Sequence, residues 1–196
     1  MKYISLTLLF ISFFGYGQEK YSKNYFRSPL DIPLILSGTF GELRSNHFHS
    51  GIDIKTQGKE GLNAYAIADG YVSRIKIAQF GFGKALYVTH PNGYTSVYAH
   101  LSKYAGDIEK YVKEQQYKKK KNTTGNLYLK EDQFPVKKGD IIAYTGDTGG
   151  SSAPHLHFEI RNSKTEKIVN PMLFDIRPED TIPPVFQTLM VYALNS

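Results

Sequence analysis

The chain has 196 residues, 41% of them hydrophobic and 21% charged, enough for one domain with its own core and a start on another. It contains no Cys, which excludes disulfides, thiolate metal sites and lipid anchoring through an N-terminal Cys. The net charge of +6 suits contact with an anionic polymer, but no nucleic-acid motif accompanies it, so nucleic acid is not an expected partner.

Residues 1–17 read as a secretory signal peptide. Lys2 is the basic segment, Ile4 to Phe14 is a short apolar run, and Gly15-Tyr16-Gly17 gives the small–x–small pattern before Gln18. The run is too short to span a bilayer comfortably, and no later stretch is apolar enough to do so. The mature protein is therefore expected in the periplasm or outside the cell. Removing 1–17 takes away Lys2 and no acid, so the net charge falls from +6 to +5.

Residues 18–35 form a polar lead-in with Pro29 and Pro33. From Leu34 to Arg161 short strands alternate with turns, the signature of an antiparallel β-domain. Ala64–Ala68 and Tyr71–Ile77 flank Asp69-Gly70, a hairpin signal. Leu86–Thr89 and Thr95–His100 flank the turn Pro91-Asn92-Gly93. Residues 103–135 interrupt the rhythm as an insertion. Within it, Ile108, Tyr111 and Val112 mark a short helix over Ile108–Tyr117, and Lys118–Lys121 reads as a solvated basic loop. Strands resume at Ile141–Tyr144 and at His155–Arg161, the latter opened by Pro154, which needs no ladder donor there. Residues 179–196 read as a linker, with Val185–Leu194 as the start of a further module or an added edge strand.

Four of the six histidines lie in segments with a chemical reading. In His155-Leu156-His157-Phe158-Glu159, period-two alternation puts both histidines and Glu159 on one face and the apolar residues on the other. Glu159 there reads equally as a carboxylate orienting a ligand and as a strand residue in solvent or an ion pair. His49 and Asp53 would stand about 13 Å apart on a straight strand, too far to share one ion, so a bend is required and Gly51 is placed to permit it. Ile52 and Ile54 then face inward. Imidazole and carboxylate donors without thiolates suit Zn²⁺, and three of them leave a fourth position for water. His47 and His90 read as ordinary exposed or packed side chains.

Three ordered motifs, His49-x3-Asp53, Tyr98-Ala99-His100-Leu101 and Pro154-His155-Leu156-His157-Phe158-Glu159, resemble those of the lysostaphin-type (LytM-like) zinc endopeptidases. Gly38–Arg44, Ala68-Asp69-Gly70, Lys138-Gly139-Asp140 and Thr145–Gly149 also resemble that family; the likeness covers roughly residues 36–175 and implies a peptidase domain over 36–178. It implies an antiparallel β-sheet with a long groove and the metal on its floor. It implies that His49, Asp53 and His157 bind Zn²⁺ and that His100 and His155 are the catalytic pair. The implied activity is hydrolysis of peptide cross-links in bacterial peptidoglycan, whose peptide stems would be the partner. Relatives without the metal act instead as binding proteins that regulate wall hydrolases, and possession of all five side chains favours the enzyme. Ala153 stands where many relatives have Gly, and the 103–135 insertion is longer than the minimal pattern.

Overall fold

The computed structural model describes residue 21 and residues 23–179. The signal-peptide reading of 1–17 and the strand reading of Val185–Leu194 lie outside these residues. Among the described residues no helix is long and apolar enough to cross a membrane.

The fold is mainly β. Strands β1 (Leu36–Gly38), β2 (Ile52–Lys55), β3 (Asn63–Tyr65), β4 (Gly70–Ile77), β5 (Lys84–Thr89), β6 (Tyr94–Ala99) and β7 (Lys103–Tyr104) precede the single described α-helix, α1 (Gly106–Lys119). Strands β8 (Gly125–Tyr128), β9 (Pro135–Val136), β10 (Ile141–Tyr144), β11 (His155–Asn162) and β12 (Ile168–Val169) follow, then a 3₁₀ turn at Pro171–Phe174. The main sheet is antiparallel with order β1-β2-β11-β6-β5-β4-β8, and β12 and β9 add to β11 and β4. A smaller antiparallel sheet runs β3-β10-β7.

Alternation along the central strands builds the core. Ile52, Ile54, Leu86, Val88, Tyr98, Leu156, Phe158 and Ile160 are all buried in one cluster between the main sheet and the elements packed on it. The opposite face of β2 and β11 is thereby left for Asp53, His155 and His157.

The expected hairpin across Asp69-Gly70 does not form. Strand β3 pairs with β10, whereas β4 pairs with β5, β8 and β9. Asp69 has other work: its carboxylate accepts from the Lys138 backbone N–H (2.9 Å) and from Lys137 Nζ (3.0 Å), tying the start of β4 to the turn at 137–140. The Pro91-Asn92-Gly93 turn does join β5 to β6.

The lead-in is more than a polar arm. Phe26, Leu30 and Leu34 are buried in the main core. The Arg27 N–H donates to the Ile67 carbonyl and the Tyr65 N–H to the Pro29 carbonyl, both at 2.9 Å. Phe26 also packs edge-on against Phe174.

Helix α1 extends the predicted one by two residues at each end. Ile108 and Val112, one turn apart, face the core. Asp107 and Glu109 in the first turn and Lys118 and Lys119 in the last complement the helix dipole. Half of the basic run expected as loop is therefore helix, and Lys120 ends it in the left-handed conformation. No residue of 103–135 lines the groove described next.

Candidate functional site

The site arises from strand register. Strand β11 lies between β2 and β6, with His157 opposite Asp53 on one side and Ala99 on the other. His155 is opposite Lys55. His100 follows Ala99 directly, so β6 delivers it beside β11.

His49 reaches the same point because the chain bends at Gly51 before β2 begins. Glycine is required there for closeness: a Cβ would overlap the Phe158 carbonyl oxygen. Its φ does not lie in the left-handed region, so the expected reason, conformational freedom, is replaced by steric contact.

Three donor atoms converge. His49 Nε2 lies 3.1 Å from Asp53 Oδ1 and 3.0 Å from His157 Nδ1, and His157 Nδ1 lies 2.9 Å from Asp53 Oδ1. All three residues are buried. A tetrahedral ion with bonds of about 2.0 Å separates its ligand atoms by about 3.3 Å, close to this spacing. Two imidazole lone pairs and a carboxylate oxygen turned toward one another are poorly stabilised without a cation or a proton among them. The donor set therefore fits a divalent ion such as Zn²⁺.

Each of the four histidines has its far nitrogen committed. His49 Nδ1 donates to the Thr39 carbonyl at 2.8 Å, and His157 Nε2 donates to Glu159 Oε1 at 2.9 Å. His100 Nδ1 donates to the Thr148 carbonyl at 2.7 Å, and His155 Nδ1 to the Ala153 carbonyl at 2.8 Å. These acceptors fix the tautomers and leave the opposite nitrogen of each ring free for the site. The His100 and His155 rings lie with centroids 4.7 Å apart, and His155 Nε2 is 3.6 Å from Asp53 Oδ1.

His100 adopts φ +58°, a left-handed conformation that costs a non-glycine residue roughly 1 kcal/mol or more. Its backbone N–H is held by the Phe82 carbonyl at 3.0 Å. The expected strand Thr95–His100 thus stops one residue short, and the turn aims the His100 ring into the groove.

Burial and charge set the protonation states. Burial lowers the His100 pKa to about 4, so it is neutral near pH 7. Burial also opposes charge on His155 and His157, but the Asp53 carboxylate beside both, joined by Glu159 at His157, outweighs it and raises both. Burial works against the Asp53 anion, yet bonds from His155, His157, His49 and Arg44 together hold its pKa well below the usual carboxylate range.

Arg44, which the sequence reading did not single out, and Glu159, which it left between two readings, support the cluster. Arg44 Nη2 donates to Asp53 Oδ2 at 2.7 Å, leaving Oδ1 to the histidines. Glu159 is fully buried, accepts from Ser50 Oγ and from Arg161 Nε (2.5 Å) as well as from His157, and so holds the ring from behind. Arg44 and Thr148 lie in stretches whose family likeness was visible, although their contacts were not. Of the two histidines read as ordinary, His90 is buried, bonded to the Asp69 carbonyl and Ser96, and remote from the cluster. His47 is exposed on the groove rim.

The cluster lies in an open groove of about 650 Å³. Glu42, Arg44, Thr56 to Gly58, Gly81, Phe82 and the Gly150–Pro154 loop line it around the cluster.

An antiparallel sheet that gathers a His–Asp–His triad and two further histidines in a groove defines a β-protein with a donor set able to hold a divalent metal. Residues 47–131 and 114–171 match the model of Peptidase family M23, and the chain belongs to that family. It is 31% identical over 119 residues to the DD-carboxypeptidase/endopeptidase Mpg of Neisseria meningitidis, an alignment covering 61% of this chain and 21% of that protein. It is 35% identical over 136 residues to the murein hydrolase activator NlpD of Escherichia coli, covering 69% of this chain and 28% of that one. The chain thus spans only about a fifth of one of these relatives and a little over a quarter of the other. Among solved structures, lysostaphin from Staphylococcus simulans superposes with a TM-score of 0.55 at 23% identity, over 83% of this chain and 61% of that one. A zinc-containing peptidase from Vibrio cholerae gives 0.54 at 25% identity, over 74% and 38%.

Proposed function

We propose that this protein is a zinc metalloendopeptidase of the cell envelope that hydrolyses peptide cross-links of bacterial peptidoglycan. The observation that carries the reading is the convergence of His49, Asp53 and His157 on one point with His100 and His155 beside it. His49, Asp53 and His157 would hold the metal, with Arg44 and Glu159 fixing two of them. Zn²⁺ there supplies Lewis acidity, activating water near neutral pH and polarising the scissile carbonyl.

The chain's own groups supply the rest. His155, with Nδ1 anchored by Ala153, presents Nε2 as the base that takes the proton from the attacking water. His100 is neutral, with its free nitrogen on the same side to share that proton, and the imidazolium formed when the water gives it up stabilises the developing oxyanion. One of the two then passes a proton to the leaving amine. No Ser or Cys nucleophile is involved, so no acyl-enzyme forms. The groove is open enough to admit a peptide strand. Secretion follows from the reading of residues 1–17.

A second reading, a non-catalytic activator of wall hydrolases, has support in the 35% identity to NlpD. The complete set of five side chains favours the enzyme. Mass spectrometry of muropeptides after incubation with the zinc-loaded protein, with and without chelator, separates the two. Chelator-sensitive cleavage supports the peptidase, and intact cross-links in both arms refute it.

A further inference from the structure

Lys55 is the last residue of β2, two beyond Asp53 and directly opposite His155 on β11. Period-two alternation puts it on the same face as Asp53, with Cα atoms about 6.6 Å apart. Its side chain is exposed and lines the groove. Arg44, which also lines the groove, is tied to Asp53 Oδ2 (2.7 Å) and to Glu42 (3.3 Å). Lys55 has no such tie: its ammonium meets no carboxylate among the described residues, while its backbone N–H donates to the Ile35 carbonyl. Among the described Lys and Arg residues lining the groove, Lys55 is therefore the one without a carboxylate partner, two residues along β2 from Asp53.

We infer that Lys55 is a specificity residue that pairs with a free carboxylate on the peptide, one or two residues from the bond at the cluster. This rests on the reading of the groove as a peptide site and adds the class of peptide: anionic stems, preferred over amidated ones. An ammonium in a partly enclosed groove gains from a charge-assisted hydrogen bond that an amide replaces poorly. The carboxylate belongs either to a side chain of the stem or to its C-terminus, and both offer the same chemistry to Lys55.

The test is calorimetric binding to the full, zinc-loaded chain carrying His155→Ala, so that bound peptide is not turned over. The probes are three cross-linked muropeptide dimers: one with all carboxylates free, one amidated at the stem side chain and one amidated at the C-terminus. The expected result is that one amidation weakens binding about fivefold to tenfold, in the range for a partly exposed charge pair. Adding Lys55→Gln removes that preference, and Lys55→Arg keeps it. Which amidation matters identifies the carboxylate. Equal binding of all three dimers, binding of none, or an undiminished preference in Lys55→Gln overturns the inference. Cleavage by the chain with His155 intact is scored separately. A Lys55 failure with cleavage preserved sinks only this inference, whereas a Lys55 effect without cleavage sinks the peptidase and leaves the recognition standing.

Discussion

Asp53 and His157 face each other across the β2–β11 ladder in direct register, with Oδ1 2.9 Å from Nδ1. A residue that must meet a partner 104 positions away is thus placed by backbone pairing. The side chains need only short reaches, and the backs of both groups are held, Asp53 by Arg44 and His157 by Glu159.

Metal binding should stabilise the fold measurably. Free Zn²⁺ at about 1,000 times its dissociation constant adds about 4 kcal/mol, roughly 10 °C in Tm for a chain of this size. Asp53→Ala should abolish that rise in differential scanning calorimetry. An equal rise in the variant would remove Asp53 from the ligand set.

The two kinds of histidine should separate on replacement. His49→Ala should lose bound zinc and cleavage together, because one of three donors is gone. His155→Ala should keep the zinc and lose turnover by about 10²-fold or more. Metal content by atomic emission, read beside muropeptide cleavage, tests both. Zinc retained in His49→Ala, or normal turnover in His155→Ala, contradicts the assigned roles.

Glu159→Gln should weaken zinc binding by about 10- to 100-fold while the fold persists. The amide can still accept from His157 but gives up the anion that polarises the ring. Burial disfavours that anion, yet hydrogen bonds from His157 and Arg161 outweigh it and lower the Glu159 pKa to about 2. The check is chelator competition, which reads affinity without needing turnover. Unchanged affinity would show that Glu159 serves packing alone.

Much of this site was legible in the sequence. The alternation of His155, His157 and Glu159 against Leu156, Phe158 and Ile160 fixed both faces of β11, because a strand has period two whatever surrounds it. The need for a bend between His49 and Asp53 followed from distance alone. Other features carried no local signal. The nine-residue separation of Arg44 and Asp53 matches no period, so their ion pair depends on how the loop before β2 folds back. Asp69-Gly70 carries the local chemistry of a hairpin, but β3 finds its partner in β10, in the other sheet, and tertiary pairing overrides the turn signal. The lead-in looked polar because its anchors Phe26, Leu30 and Leu34 are four residues apart within a Pro-containing segment that forms neither helix nor strand.

Gly51→Ala should destabilise the protein by about 1–3 kcal/mol, since the added methyl overlaps the β11 backbone at Phe158, which cannot rotate away. The displaced segment carries His49, so zinc affinity should fall as well. Urea melts with and without zinc check both effects. Wild-type stability would show that the bend has room the structure denies.

His90 supplies a pH dependence independent of the metal. Burial lowers its pKa to about 4, while the unfolded chain protonates near 6.5. Between those values the unfolded state binds more protons, so the contribution of His90 is complete above about pH 6.5 and is lost as pH falls toward 4. The full loss is roughly 3 kcal/mol. His90→Asn should be less stable at neutral pH, because the ring fills a buried site between Asp69 and Ser96. Its stability should nevertheless fall less steeply on acidification than that of the parent. Urea melts of both chains at about pH 7 and about pH 4.5, made without metal, measure the difference in slope. Parallel slopes would mean that His90 takes up its proton in the folded state as readily as in the unfolded chain.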